Sequence, residues 1–140
     1  MEDCMAQIEL ESKLESLDTL NGFVHQIIQN SPCTEQQQIQ IDLVVEELFV
    51  NIVNYAYPES MGMVQVECKL SGDSGQVIIQ FKDQGIEFNP LAGKEIDVHD
   101  RFERRPVGGL GIYLAKKYTN SIEYQRADGS NVLTIMKNLG

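Results

Sequence analysis

Glu46-Glu47-Leu48-Phe49-Val50-Asn51-Ile52-Val53-Asn54-Tyr55-Ala56-Tyr57 is the stretch whose reading decides the fold. It is the second half of a helix that begins upstream, where Thr34 followed by Gln37 forms a capping box. In such a box each side chain satisfies a backbone N–H of the other residue, which marks a helix start. At about 100° per residue, Ile41, Val44, Val45, Leu48, Ile52 and Tyr55 share one apolar arc, and the helix runs through Ala56 to a stop at Pro58. Glu46 and Val50 lie nearly opposite that arc, while Glu47, Asn51 and Asn54 follow one edge of it. Glu47 and Asn51 are an i, i+4 pair, so their side chains are neighbours. Taken alone, such residues are the polar flank of any amphipathic helix. Their chemistry offers two further uses. A carboxamide oxygen suits a hard cation such as Mg²⁺, and a carboxylate can accept a proton or orient a nucleophile.

Working outward from this helix, residues 5–13 read as a strand. Ser16 is placed to cap a helix running to residue 30, with Leu17, Leu20, Val24, Ile27 and Ile28 on one face. Ser31-Pro32 ends it. Downstream, residues 63–68 and 77–81 alternate as strands about the turn Gly72-Asp73-Ser74-Gly75 and form a hairpin. Residues 83–107 are charged and punctuated by Gly and Pro, with a short helix in their middle. A connection of that length is usually a functional loop or lid. Gly108-Gly109-Leu110-Gly111 opens a further helix to residue 119, and residues 121–126 and 132–137 make a terminal hairpin around Asp128-Gly129. These elements predict an α+β fold. It is a two-layer α/β sandwich, a mostly antiparallel mixed sheet with helices on one face, forming a single domain over residues 1–140.

Composition narrows the functional classes. The 140 residues are 42% hydrophobic and 23% charged, an ordinary globular balance. The formal net charge of −10 lacks the basic footprint of a nucleic-acid-binding protein. The acidic start Met1-Glu2-Asp3-Cys4 is not a secretory signal. No apolar run is long enough to span a bilayer. Cys4, Cys33 and Cys68 are odd in number and widely spaced, neither a disulfide framework nor a zinc pattern. Reduced thiols and a cytoplasmic location are therefore expected. Positive charge gathers at Arg101, Arg104 and Arg105, where a polyanion could find local donors.

Two glycine motifs give the helix residues a context. The first, Asp83-Gln84-Gly85-Ile86-Glu87-Phe88-Asn89-Pro90, ends a strand. A carboxylate there can accept from an exocyclic amine, and a glycine lets a flat base approach the backbone. The second is Arg104-Arg105-Pro106-Val107-Gly108-Gly109-Leu110-Gly111-Ile112. Glycines that lead directly into a helix present bare N–H donors and the positive end of the helix dipole, a phosphate site. It is not a Walker A loop, because no Gly-Lys-Ser/Thr follows. Nor is it a Rossmann fingerprint, because a long polar loop precedes it rather than a strand.

In order and spacing, Glu47-x-x-x-Asn51, Asp83-x-Gly85-x-x-Phe88-Asn89-Pro90 and Gly108-Gly109-Leu110-Gly111 resemble the N, G1 and G2 boxes of the Bergerat-fold ATPases. That superfamily includes the gyrase, heat-shock chaperone, histidine-kinase and mismatch-repair ATPases. Residues 46–57 and 103–112 are most similar to the bacterial anti-sigma factor serine kinases. The resemblance implies ATP and Mg²⁺ as cofactors, with Asn51 on the metal and Glu47 as general base toward a serine or threonine hydroxyl. It implies Asp83 on the adenine amine with Gly85 beneath the base, and Phe88 also in the nucleotide site. Gly108, Gly109, Leu110 and Gly111 would meet the phosphates, residues 91–107 would be the ATP lid, and Arg105 would contact phosphate. Family members often carry Gly-Thr before the last strand, where the threonine supports the adenine. Here Gly129-Ser130-Asn131 stands in that place, with Asn131 as the corresponding nucleotide contact. The implied partners are a sigma factor and a STAS-type anti-anti-sigma protein, with homodimerisation and no direct contact with nucleic acid or membrane. The competing expectation is a nucleotide-gated protein-binding module that transfers no phosphate; Glu47 favours the kinase, since a clamp needs no base.

Overall fold

The computed structural model describes residues 4–71, 75–92 and 109–140. Five strands form one sheet: β1 (Cys4–Glu11), β2 (Met63–Ser71), β3 (Gln76–Asp83), β4 (Ser121–Ala127) and β5 (Ser130–Asn138). Their order is β1-β2-β3-β5-β4, and every pairing is antiparallel. Three helices, α1 (Leu17–Ile28), α2 (Glu35–Asn51) and α3 (Gly109–Tyr118), complete the expected α+β class.

Alternation within the strands divides the sheet into a buried and a wetter face. Val64, Val66, Cys68 and Leu70 of β2 are buried, as are Val77, Ile79 and Phe81 of β3 and Leu133 and Ile135 of β5. They join Leu20, Val24, Val44, Val45, Leu48 and Phe49 from α1 and α2 in one core. Fully burying a Phe or Leu side chain contributes about 1.5–3 kcal/mol, so this shared core outweighs any single cap or ion pair. Cys68 lies in it, and burial, with a smaller contribution from nearby Cys4, pushes its thiol up to about 12. Cys4, Cys33 and Cys68 are all free thiols.

The β4–β5 turn follows from two residues. Asp128 and Gly129 have φ of 52° and 77°, the paired positive values of the two-residue hairpin turn that Asp-Gly favours. That turn sets the pairing Ala127↔Ser130, and hence Arg126↔Asn131. Asn131 in turn faces Asp83, which faces Val64. Asp83, Asn131 and Arg126 thus occupy successive positions in one row across the sheet, a polar end to an otherwise apolar face.

The capping box at the start of α2 forms as expected. Gln37 N–H donates to Thr34 Oγ1 at 3.1 Å, and Thr34 N–H donates to Gln37 Oε1 at 3.0 Å. Ser16 behaves differently. It precedes α1 but makes no side-chain cap, and its hydroxyl instead donates to Glu11 O at 2.8 Å. A 3₁₀ turn at Leu14–Ser16 already holds Ser16 in helical geometry, which turns the hydroxyl away from the N–H groups it would cap. A second departure lies at the other end of α2. The α-helix stops at Asn51, and Ile52–Ala56 forms a π turn closed by Tyr57 N–H to Ile52 O at 3.3 Å. The wider turn breaks the angular spacing that placed Tyr55 on the core arc. Tyr55 is instead half-buried, its ring 5.1 Å from that of Phe88 and tilted by 33°, and Asn54 is exposed. Among the described residues, no helix is long and apolar enough to cross a membrane.

Candidate functional site

The π turn follows directly on Asn51, and such turns often mark functional positions in helices. An open cleft lies between the end of α2 and the polar end of the sheet. Asn51, Asp83, Phe88 and Asn131 line it together with the apolar Leu48, Ile52 and Leu133. Mostly apolar walls with a few convergent polar groups are characteristic of small-molecule sites.

Asp83 is the charged group among the described residues lining the cleft and is only 3% exposed. Its Oδ1 accepts from Gly85 N–H and from Asn131 Nδ2, each at 2.9 Å. Among the described residues none donates to Oδ2, so that oxygen can accept a further hydrogen bond. Burial pushes the Asp83 carboxyl up from its ordinary range, against the opposing pull of the Asn131 and Gly85 donors and of Arg126.

The backbone after Asp83 is pinned from two sides. Gln84 N–H donates to the Tyr57 hydroxyl at 2.9 Å, and that hydroxyl donates to Met63 O at 2.9 Å. Ile86 N–H donates to Ala56 O at 3.0 Å. Gly85 is buried against the same turn: a Cβ there would lie 2.3 Å from the Ala56 carbonyl oxygen. The missing side chain therefore makes room for the π turn, which gives Gly85 a packing role beside its expected place under a base. Gly85→Ala should displace backbone on both sides and cost about 1–3 kcal/mol, as overpacking typically does. The expected fall in Tm is roughly 3–15 °C; a Tm equal to wild type would show that the turn does not depend on this contact.

Asn51 is 5% exposed, and its Nδ2 has no hydrogen-bond partner among the described residues. An unsatisfied buried amide is costly, about 1–3 kcal/mol, and such a group is commonly met by a water, an ion or a ligand. The two ends of the amide exchange by a half-turn about χ2, so the same position can present Oδ1 to a hard cation. Glu47, one turn earlier, is half-buried beneath α3. A Cβ on Gly111 would lie 3.1 Å from both Cβ and Oε2 of Glu47 and 3.6 Å from Asn51 Nδ2. The N-terminus of α3 is thus seated on the Glu47–Asn51 edge of α2, with Gly109 and Leu110 forming its first two residues. Glu46 points away and is exposed.

Asn51, Asp83, Phe88 and Asn131 therefore share one cleft, and Glu47 and Gly111 meet beside Asn51. Arg105, Gly108 and residues 93–107 of the expected lid lie outside the described residues. Two residues that sequence reasoning overlooked belong to the site's frame. Arg126 donates through Nη1 to Gly85 O at 2.9 Å and to Asn131 Oδ1 at 3.2 Å, and the Tyr124 hydroxyl donates to Asn131 Oδ1 at 2.5 Å. The Asp-Gly turn carried the signal for Arg126, because it fixes which residue stands opposite Asn131.

The profile of the histidine kinase-like ATPase domain family matches residues 10–137. Among curated proteins, the chain is similar to the serine-protein kinase RsbW of Bacillus cereus, 28% identical over 93 residues. That match covers 65% of this chain and 58% of the relative's length. The RsbW of Bacillus mycoides is likewise 28% identical, over 95 residues, with 65% and 58% covered. Among solved structures, the RsbU and RsbW domains of a Mycobacterium tuberculosis protein match 97% of this chain and 32% of their own, with a TM-score of 0.67 at 16% identity. The histidine kinase domain of an Erythrobacter litoralis blue-light activated histidine kinase matches 90% and 60%, with a TM-score of 0.54 at 14% identity. At such identities the structural likeness speaks for the fold. The similarity to anti-sigma serine kinases read from the three boxes agrees with these curated relatives.

Proposed function

The chain belongs to the histidine kinase-like ATPase domain family, and within it we propose an ATP-dependent protein-serine/threonine kinase that acts as an anti-sigma regulatory factor and phosphorylates a STAS-type anti-anti-sigma protein. One observation carries the reading furthest. The buried amide of Asn51, whose Nδ2 has no partner among the described residues, stands between the cleft that contains Asp83 and the seat of α3 on Glu47. On this reading a base site, a metal ligand and a candidate phosphate site lie along the same edge of α2 as a carboxylate.

When bound, ATP would supply its γ-phosphoryl group and leave as ADP, and Mg²⁺ would offset the charge that builds during the transfer. The residues of the chain do the rest. Asp83 accepts the adenine amine through Oδ2, and Phe88 and Leu133 provide apolar cover for the base. Asn51 would hold the metal through its amide oxygen. The N–H groups of Gly109, Leu110 and Gly111 face the phosphates at the positive end of α3. Glu47 accepts the proton of the substrate hydroxyl at its carboxylate, and the packing of Gly111 against it limits its rotamers. Phosphoryl transfer asks mostly for positioning and charge stabilisation, which a half-buried carboxylate on a rigid helix suits. The sigma factor is the second proposed partner, with a homodimer as the proposed binding form.

Labelled ATP and Mg²⁺ incubated with the protein and with STAS-type proteins from the same genome test this reading. It expects label on a serine or threonine of one of them. A protein that binds ATP and labels none would be a nucleotide-gated clamp instead. The metal assignment has its own test. Asn51→Ala is expected to fold and to lose the Mg²⁺-dependent part of ATP affinity by calorimetry. Wild-type affinity that is the same with and without Mg²⁺ would remove Asn51 from the metal.

A further inference from the structure

Asn131 lines the cleft, yet its amide is fully used within the protein. Nδ2 donates to Asp83 Oδ1 at 2.9 Å and to Ile86 O at 2.8 Å. Oδ1 accepts from Phe88 N–H at 3.2 Å, from the Tyr124 hydroxyl at 2.5 Å and from Arg126 Nη1 at 3.2 Å. Its orientation is therefore determined: a flipped amide would set its NH₂ against the Phe88 N–H and Arg126 Nη1 donors and its oxygen against two acceptors. Such a group has no hydrogen bond left for a ligand. What it does is hold Asp83 on one side and the loop through Ile86 and Phe88 on the other. Arg126 reinforces the same loop by donating to Gly85 O at 2.9 Å.

We infer that Asn131, braced by Tyr124 and Arg126, is a positioning residue that commits Asp83 Oδ1 to the protein, presents Oδ2 alone to the cleft, and so sets the preference for a purine bearing a 6-amino group. The inference rests on the ATP-binding reading above. The geometry is what makes it specific. A carboxylate free to rotate could meet several ring positions of a base, whereas one with an oxygen held by Gly85 N–H and Asn131 Nδ2 offers a single acceptor in a single place. Asn131 is 5% exposed and Asp83 3%, so bulk water cannot replace the lost donor easily. The contact with Phe88 N–H couples the acceptor to the ring that lines the same cleft.

The test compares ATP with purine riboside triphosphate, in which hydrogen replaces the 6-amino group, by calorimetric titration of the full chain. Wild type is expected to prefer ATP by about 10- to 150-fold, the range for one hydrogen bond to a charged group. Asn131→Leu, close in shape but without the amide, should bring that preference to about threefold or less. Arg126→Met keeps the stem but removes the guanidinium from an exposed position. It should lower the preference by about threefold or more. General loosening of the fold would weaken both nucleotides alike and leave their ratio unchanged. A wild-type ratio kept in both variants overturns the inference while leaving ATP binding intact. If circular dichroism shows Asn131→Leu unfolded, an unchanged ratio in Arg126→Met overturns it alone. A wild type that binds ATP without preferring it removes Asp83 from the amine and the inference with it. A wild type that binds neither nucleotide overturns the ATP-binding reading itself.

Discussion

Glu47→Gln is expected to slow phosphoryl transfer to the STAS-type partner by about 10²–10⁴-fold, toward the lower end because positioning and charge stabilisation carry most of this reaction. The substitution preserves the shape of a side chain that packs against Gly111, so Mg²⁺-ATP affinity should stay close to wild type. Only the basicity is lost. Glu46→Gln is the matched control, since Glu46 is exposed on the face of α2 away from the cleft. Initial rates of label transfer for both variants decide the matter. Equal rates in the two would remove Glu47 from the chemistry.

The second large effect is expected at the base end. Asp83→Asn keeps an oxygen for the Gly85 and Asn131 donors but turns an NH₂ toward the adenine amine, donor against donor. ATP affinity should fall about 10- to 150-fold, the equivalent of one charge-assisted hydrogen bond. Stability should move the other way. Burial raises the Asp83 carboxyl above its unfolded value. A raised acid costs folding stability once pH exceeds its unfolded pKa, and the full cost is present above its folded one. The neutral amide escapes that cost, so Asp83→Asn should melt no lower than wild type at neutral pH. A variant that both melts lower and binds poorly would point to a structural defect instead of a lost contact.

Much of this arrangement was legible in the sequence where the physics is local. Thr34 and Gln37 announced the start of α2 because a capping box involves only neighbouring residues. Asp128-Gly129 announced the last hairpin because its turn needs positive φ at both positions. The edge formed by Glu47 and Asn51 was readable from helical periodicity, and it holds as far as the α-helix does. Periodicity fails one residue later. The π turn at Ile52–Ala56 accompanies the packing of Gly85 and Ile86 on Ala56, contacts between residues some thirty positions apart that no local propensity encodes. Tyr55 was misplaced for that reason. Ser16 misled similarly: a capping residue type stood in the right place, but Glu11 O took its hydroxyl. Asn131 was visible only as a departure from a family habit. Its role depends on register across three strands, which places Asp83, Asn131 and Arg126 side by side.

Determination of the structure with Mg²⁺ and a non-hydrolysable ATP analogue tests the central claim most directly. The account predicts the adenine amine on Asp83 Oδ2, the metal on the Asn51 amide oxygen and the phosphates at the N-terminus of α3 beside Glu47. A nucleotide bound outside this cleft, or a metal held without Asn51, would contradict it.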